Sequence, residues 1–232
     1  MQGKQVLLTG GTGGLGLEVT LLLLAQGAAS ITIPYRNSQS IERLKSMIPP
    51  EDLAKIQFIP ANLTDEGSVE NVINRMERVD VLIHLVGGFA MGKTDEFSYT
   101  DWKQQLDLNL NTTFLVCKYS LRKMLQNGYG RIVTVSSRGA EQPGAQMAAY
   151  CASKAGVVAL TQSIAQETKN TNITANVVLP SVIDTSANRE AMGTEDADKW
   201  VKPHSLAQAI CFLASEAAKD MRGAAIPVYG DI

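Results

Sequence analysis

Long hydrophobic runs are missing from this chain: the longest, near Val19 to Ala25, falls far short of the roughly 20 apolar residues that a bilayer-spanning helix needs. Cysteine is scarce. Cys117, Cys151 and Cys211 are scattered without metal-ligand spacing, so neither a metal centre nor a disulfide framework is expected, and the three are read as packing residues. Neither sign of charge dominates, with 21 Lys and Arg against 23 Asp and Glu and a net charge of −2. No basic block stands out, which argues against a nucleic-acid groove or an anionic membrane surface and leaves a small molecule as the expected partner. Sequence repeats, low-complexity tracts and linkers are absent too. Since "MQGKQVLLTGG" enters a strand pattern at once, it has no room for a signal peptide, and a cytoplasmic protein is expected.

What is present is apolar material in short, regular portions. With 232 residues, 45% of them hydrophobic, the chain can build one sizeable core, and a single domain over residues 1–232 is expected. The segments "KQVLLT", "SITIPY", "KIQFIP", "VDVLIHLV", "GRIVTVSS", "ITANVVLP" and "AAIPVY" read as strands, several without polar alternation, as when helices cover both faces of a sheet. Helical periodicity falls at Leu15–Gln26, Gln39–Met47, Glu66–Glu77, Thr100–Gln126, Met147–Lys169 and Ser205–Ala214. Strand and helix alternate, which makes an α/β fold the economical one: a doubly wound parallel sheet of Rossmann type, about seven strands with helices on both faces. The least regular stretches, Gly87–Tyr99 and Asp184–Lys202, follow strand ends, where such sheets bind ligands.

The first strand runs into five glycines within Gly10 to Gly16 and then into a helix. Without side chains the backbone can turn sharply and approach a pyrophosphate, while the free N–H groups of the helix start attract the anion. The spacing fits two patterns, one through Gly10, Gly14 and Gly16 and one through Gly10, Gly13 and Gly16. A steric turn without a ligand would use the same residues.

A second constellation gives the first its meaning. Tyr150 and Lys154 stand four apart in a helical pattern, so both side chains leave one face of the helix. A cation beside a phenol favours the phenolate and lowers its pKa, which would let Tyr150 exchange a proton. Ser137 ends the preceding strand, where its hydroxyl could hydrogen-bond an oxygen that gains charge.

In these features the chain resembles the short-chain dehydrogenase/reductase family, in its single-domain branch, over nearly its whole length. "TGGTGGLG" is similar to the family's cofactor loop, Ser137 stands thirteen positions before Tyr150, and "YCASK" matches Y-x-x-x-K. The resemblance selects the first glycine pattern, because the second marks a longer, two-domain branch. "LDLNLNTTF" resembles the segment with the family's fourth catalytic residue, and "NVVLPSVIDT" the segment whose final threonine holds the nicotinamide carboxamide. The catalytic set implied is Asn109, Ser137, Tyr150 and Lys154, with no metal. The cofactor contacts implied are Gly10, Thr12, Gly13, Gly14, Leu15, Gly16, Tyr35, Arg36, Asn62, Leu63, Gly87, Tyr150, Lys154, Pro180, Ile183 and Thr185. Ser137 would orient a carbonyl, Tyr150 would protonate it, Lys154 would lower the tyrosine pKa and bond the nicotinamide ribose, and Asn109 would hold a water.

The resemblance implies an oxidoreductase moving a hydride between a nicotinamide cofactor and a small ketone, aldehyde or alcohol. After the second strand, NAD-specific folds commonly place a carboxylate for the ribose 2′-hydroxyl. This chain has Tyr35 there, then Arg36, a planar cation suited to phosphate. NADP(H) is therefore favoured over NAD(H), although Thr12 and Gly13 leave the glycine loop without the basic residue that many such members carry. Asn62 stands where the family usually has an aspartate beside the adenine.

Three departures are visible. "HLVG", His84 to Gly87, replaces N-N-A-G; His84 is read as a neutral hydrogen-bonding substitute, with a catalytic histidine as the sharper alternative. Ser181 replaces a glycine, and "AAIPVYGDI" lacks the usual D-G-G turn. The substrate rim draws bulky apolar candidates from Phe89, Met91 and Phe97 on one loop and from Met192 and Trp200 on the other. A homodimer or homotetramer through the two long helices is the family expectation. The readings that compete are a non-catalytic NADP-binding sensor or scaffold and a nucleotide-sugar epimerase or dehydratase, the latter disfavoured by length.

Overall fold

The computed structural model describes residues 1–232. Seven strands lie parallel in the order β3-β2-β1-β4-β5-β6-β7: β1 (Gln5–Thr9), β2 (Ser30–Tyr35), β3 (Ile56–Pro60), β4 (Val81–His84), β5 (Gly130–Val135), β6 (Ile173–Pro180) and β7 (Ala225–Val228). Helices α1 (Gly14–Ala25), α2 (Ser38–Ser46), α3 (Pro50–Leu53), α4 (Glu66–Asn74), α5 (Tyr99–Leu106), α6 (Thr112–Asn127), α7 (Ala148–Glu167), α8 (Ser186–Met192) and α9 (Pro203–Leu213) fill the connections. The expected Rossmann-type sheet is thus the one found. Its strand order reverses between β1 and β4, so the loops after these strands diverge and leave a crevice at their carboxyl ends.

Period-two alternation divides the core into two layers. Val6 and Leu8 of β1, with Ile31, Ile33, Ile83 and Val178, face α1 and α9. Leu7, Leu82, Ile132 and Ala175 face the other way, onto α4, α6 and α7. All eight residues of β6 are buried, which is why its sequence shows no polar alternation. The edge strand β7 is short and carries Pro227, whose missing N–H would break a ladder bond in an interior strand. No helix is long and apolar enough to cross a membrane. Cys117, Cys151 and Cys211 are all buried, and burial pushes the thiols of Cys117 and Cys211 up to about 12, as packing residues require.

Two helix expectations need correction. The run Thr100–Gln126 is not one regular helix: a π-helical turn at Asp107–Asn111 separates α5 from α6 and makes room for an extra residue in the helix, with the buried Asn109 at its centre. The stretch Asp184–Lys202 is not wholly irregular, since the Thr185 hydroxyl accepts from the Asn188 N–H and starts α8. The short helix α3, which starts at a proline, lies outside the helical segments expected from periodicity.

Candidate active site

Gly10 turns the chain out of β1 with φ at 73°, a left-handed conformation that side chains rarely adopt. Six residues on, a Cβ at Gly16 would stand 2.3 Å from the Gly10 carbonyl oxygen. The turn closes on itself at that point, and α1 starts at Gly14 with no side chain capping its N–H groups. The crevice above this turn is about 390 Å³, and its walls include Gly13, Leu15, Gly87, Tyr150, Lys154 and Ile183. Gly10, Gly14, Gly16 and Pro180 line it as well. A second hollow of about 170 Å³ continues from Gly10 and Thr12 to Tyr35, Arg36, Asn62 and Leu63. These two spaces take in every expected cofactor contact except Thr185. Its hydroxyl is committed to the cap of α8, while its methyl group stands where a Cβ on Gly14 would be 3.3 Å away. Asn62 Oδ1 already accepts from the Thr64 hydroxyl at 2.9 Å.

A dinucleotide fits these walls: the loop has no side chain to block a close approach, uncapped N–H groups open towards it, and none of the lining residues carries a carboxylate.

The other half of the site comes from β5 and α7. The Ser136 hydroxyl donates to the Lys154 carbonyl at 2.7 Å and pins α7 to the end of β5. That fixes Tyr150, one turn earlier, with the Ser137 hydroxyl close enough to pull the phenol's pKa down. Ser137 also accepts from the Gly139 N–H at 3.1 Å. Lys154 Nζ donates to the Val135 carbonyl at 3.0 Å and stands 6.0 Å from the Tyr150 ring centre. Asn109 is buried and clasps Gly88: its Oδ1 accepts from the Gly88 N–H at 2.9 Å and its Nδ2 donates to the Gly88 carbonyl at 3.0 Å. Asn109 and Lys154 meet over Gly87, where a Cβ would lie 2.8 Å from Asn109 Oδ1 and 3.0 Å from Lys154 Nζ.

The electrostatics correct one expectation. Burial raises the Tyr150 phenol above its ordinary range, and what pulls it down is the Ser137 hydroxyl rather than the lysine. The lysine itself is displaced towards neutrality, since burial lowers it to about 8. His84 is also moved, to about 3, first by burial and then by the charge on Lys154. Its Nδ1 shares a hydrogen bond of 2.7 Å with the Thr9 hydroxyl across β1 and β4, and its Nε2 is buried without a partner. A buried imidazole held neutral at ordinary pH fits the hydrogen-bonding reading of His84 through Nδ1 alone and speaks against an acid there.

On the rim, Phe89 is 55% exposed and stands edge-on to Tyr150, with ring centroids 4.9 Å apart and planes at 82°. Met91 and Met192 are likewise exposed. Trp200, expected among the rim candidates, is buried in the interior behind the loop, and Phe97 turns into a separate hollow with Ala90, Trp102 and Ala149. Sequence reasoning missed Asn188, which lines the crevice and ties α8 back to the Ile183 carbonyl. Asparagine after a helix-capping threonine was the available signal. Ser136 was also missed, hidden by the serine beside it.

A doubly wound sheet with a glycine turn at its switch point, facing a tyrosine and a lysine on one helix turn, defines a nicotinamide-dependent oxidoreductase. The sequence pattern of the short chain dehydrogenase family matches residues 4–196, and the chain belongs to that family. It is 29% identical to a 3-oxoacyl-(acyl-carrier-protein) reductase of Rickettsia conorii, over 99% of this chain and 97% of that one. It is also 29% identical to a D-threitol dehydrogenase of Mycolicibacterium smegmatis, over 99% and 93% of the two chains. Among solved structures, actinorhodin polyketide ketoreductase with NADPH superposes with a TM-score of 0.90 at 27% identity, covering 99% of this chain and 98% of that one.

Proposed function

We propose that this protein is an NADPH-dependent carbonyl reductase, reversible as an alcohol dehydrogenase, acting on a small, partly apolar ketone, aldehyde or alcohol. The observation that carries the reading is that Tyr150 and Lys154, one helical turn apart, both line the crevice whose floor is the glycine turn, with the Ser137 hydroxyl beside the phenol. When bound, the nicotinamide would supply or accept the hydride.

The residues of the chain do the rest. Ser137 donates to the substrate carbonyl oxygen and orients it towards Tyr150. Tyr150, kept protonated by burial, gives that oxygen its proton as general acid. Lys154, held by the Val135 carbonyl, presents its remaining donors to the nicotinamide ribose and to the phenolate left behind. Asn109 fixes the Gly87–Gly88 backbone that forms the crevice wall, so its side chain positions this wall rather than holding a water directly. Tyr35 leaves the adenosine ribose without a carboxylate neighbour, and Arg36 offers a cation to a 2′-phosphate. Pairing of two copies through α6 and α7 is supported by the exposed Phe114 and Leu125 on α6, beside a hollow that reaches Leu160 and Ile164.

The test is NADPH oxidation followed by absorbance over a panel of ketones, aldehydes and quinones, with Tyr150→Phe as control. Turnover on members of the panel that falls by about 10²- to 10⁴-fold in the variant, with NADPH affinity nearly unchanged, is the expected result. A variant that keeps wild-type turnover removes Tyr150 from the mechanism. Tight NADPH binding without turnover on any compound favours a sensor.

A further inference from the structure

The glycine loop carries no cation of its own, because Thr12 and Gly13 fill the places where one could sit. The structure offers one from the opposite wall. Directly after Arg36, the Asn37 side chain accepts from the Gln39 N–H at 2.9 Å and starts α2, which runs back alongside the loop. Ile41 and Leu44 are buried and set the roll of this helix. Arg43 is thereby brought to a small hollow of about 30 Å³ that it shares with Thr12, Gly13, Gly14, Leu17 and Leu44. Arg36 stands in the larger hollow beyond, and Thr12 is a wall of both.

The charges are distributed as a phosphate site requires. Arginines that hold carboxylates in this protein are Arg78, Arg131 and Arg189; the guanidinium groups of Arg36 and Arg43 are left free. Glu42, the acid beside Arg43 in sequence, is taken by Lys45 at 3.0 Å. Lys45 also lies over the Phe58 ring, 5.8 Å from its centre, and so is held on the side of β3. No carboxylate lines either hollow. Two free planar cations therefore flank one threonine of the cofactor loop, on the side where the adenosine ribose would lie.

We propose that Arg43 is a second cation for the 2′-phosphate of the cofactor, acting from α2 across the glycine loop while Arg36 acts from the end of β2. The inference rests on the NADPH reading above. A ribose phosphate carries nearly two negative charges, and guanidinium groups can bind its oxygens in pairs. Arg43 would replace, from a helix, the cation that the loop lacks.

Calorimetric titration of the full chain with 2′,5′-ADP and with 5′-ADP tests this without turnover. Wild-type protein should bind 2′,5′-ADP the more tightly. Arg43→Gln should weaken 2′,5′-ADP by about fivefold or more and 5′-ADP by less than about twofold, and Arg43→Lys should restore part of the loss. Arg36→Gln serves as comparison. Arg43 is exposed, and an unchanged thermal midpoint shows that the variant is folded. If Arg43→Gln leaves both affinities intact, or weakens both equally, the proposal falls, while a preference abolished by Arg36→Gln keeps the NADPH reading. If wild-type protein does not distinguish the two nucleotides, the NADPH reading falls and the role of Arg43 falls with it.

Discussion

Asn109 holds Gly88 from both sides, accepting from its N–H at 2.9 Å and donating to its carbonyl at 3.0 Å. The loop after β4 has no other residue between Leu85 and Ala90 tied down by a side chain. Asn109 makes this pair of hydrogen bonds from the centre of the π-helical turn, where the extra residue shifts its direction relative to a regular helix. Removing the pair leaves two half-buried backbone groups of Gly88 without a side-chain partner.

Asn109→Ala should therefore destabilise the fold by about 1–3 kcal/mol, the cost of two half-buried hydrogen bonds and of the void left by a buried side chain. Turnover should fall at least about tenfold, since Gly87 lies against Lys154 and moves with the loop. Denaturant unfolding and steady-state rates check the two parts separately. A loss under about 0.5 kcal/mol would mean that the clasp contributes nothing.

Most of the fold was legible because its signals are local. Buried strands such as β6 announce themselves as apolar runs, and the glycine turn precedes a helix within a few residues. The shared face of Tyr150 and Lys154 was legible through spacing, since the two are one turn apart and need no tertiary contact to line the same crevice. The features that were not legible depend on three-dimensional context. Nothing in "LDLNLNTTF" marks a π-helical turn, and nothing in "DKWVKP" says that Trp200 turns inward while Met192 stays outside. The pKa order within the site was misread for the same reason. Desolvation of Lys154 and Tyr150 depends on what packs around them, and it outweighs the attraction that sequence distance suggests.

That desolvation has a measurable sign. Free lysine keeps its proton to about 10.5, whereas buried Lys154 gives it up at about 8. The unfolded chain thus binds the proton more firmly, so burial of Lys154 lowers stability below pH 8, and the penalty fades as pH rises towards 10.5. Lys154→Met should be more stable than wild type at pH 7, by an amount of up to about 3 kcal/mol, and indistinguishable from it near pH 10.5. The same variant should lose nearly all turnover. Wild-type reduction should decline above about pH 8, as the ammonium is lost while Tyr150 remains protonated. Unfolding curves across that pH range decide the matter, and a variant less stable than wild type at pH 7 would contradict the argument.

His84 makes a prediction of the same sign at acid pH. Its imidazole is held neutral down to about 3 by burial and by Lys154, whereas an unfolded histidine takes a proton near 6.5. Between these values the unfolded state binds the extra proton, so stability falls as pH drops from 6.5 towards 3. His84→Asn, which keeps a donor and an acceptor beside Thr9 but cannot titrate, should flatten that slope. Stability at pH 7 should change by no more than about 1–2 kcal/mol. Equal slopes for the variant and wild type between pH 6 and pH 4 would show that His84 is not the buried neutral group described.

Phe89 joins two functions that a single variant can separate. Its ring meets Tyr150 edge-on at 4.9 Å, a pairing worth about 0.5–1.5 kcal/mol that helps to hold the phenol towards Ser137. Its other face is open at the mouth of the crevice, where it can cover an apolar substrate. If both roles hold, Phe89→Ala should lower kcat by about three- to tenfold on every substrate, because Tyr150 is less firmly placed. KM should rise only for substrates with a bulky apolar group beside the carbonyl, since a small ketone has nothing to lay against the ring. Phe89→Leu should recover the KM of bulky substrates, which need apolar cover, without recovering kcat, which needs the aromatic edge. A uniform rise in KM with kcat intact would show that the ring serves as a wall alone and leaves Tyr150 to be positioned by Ser137 and α7.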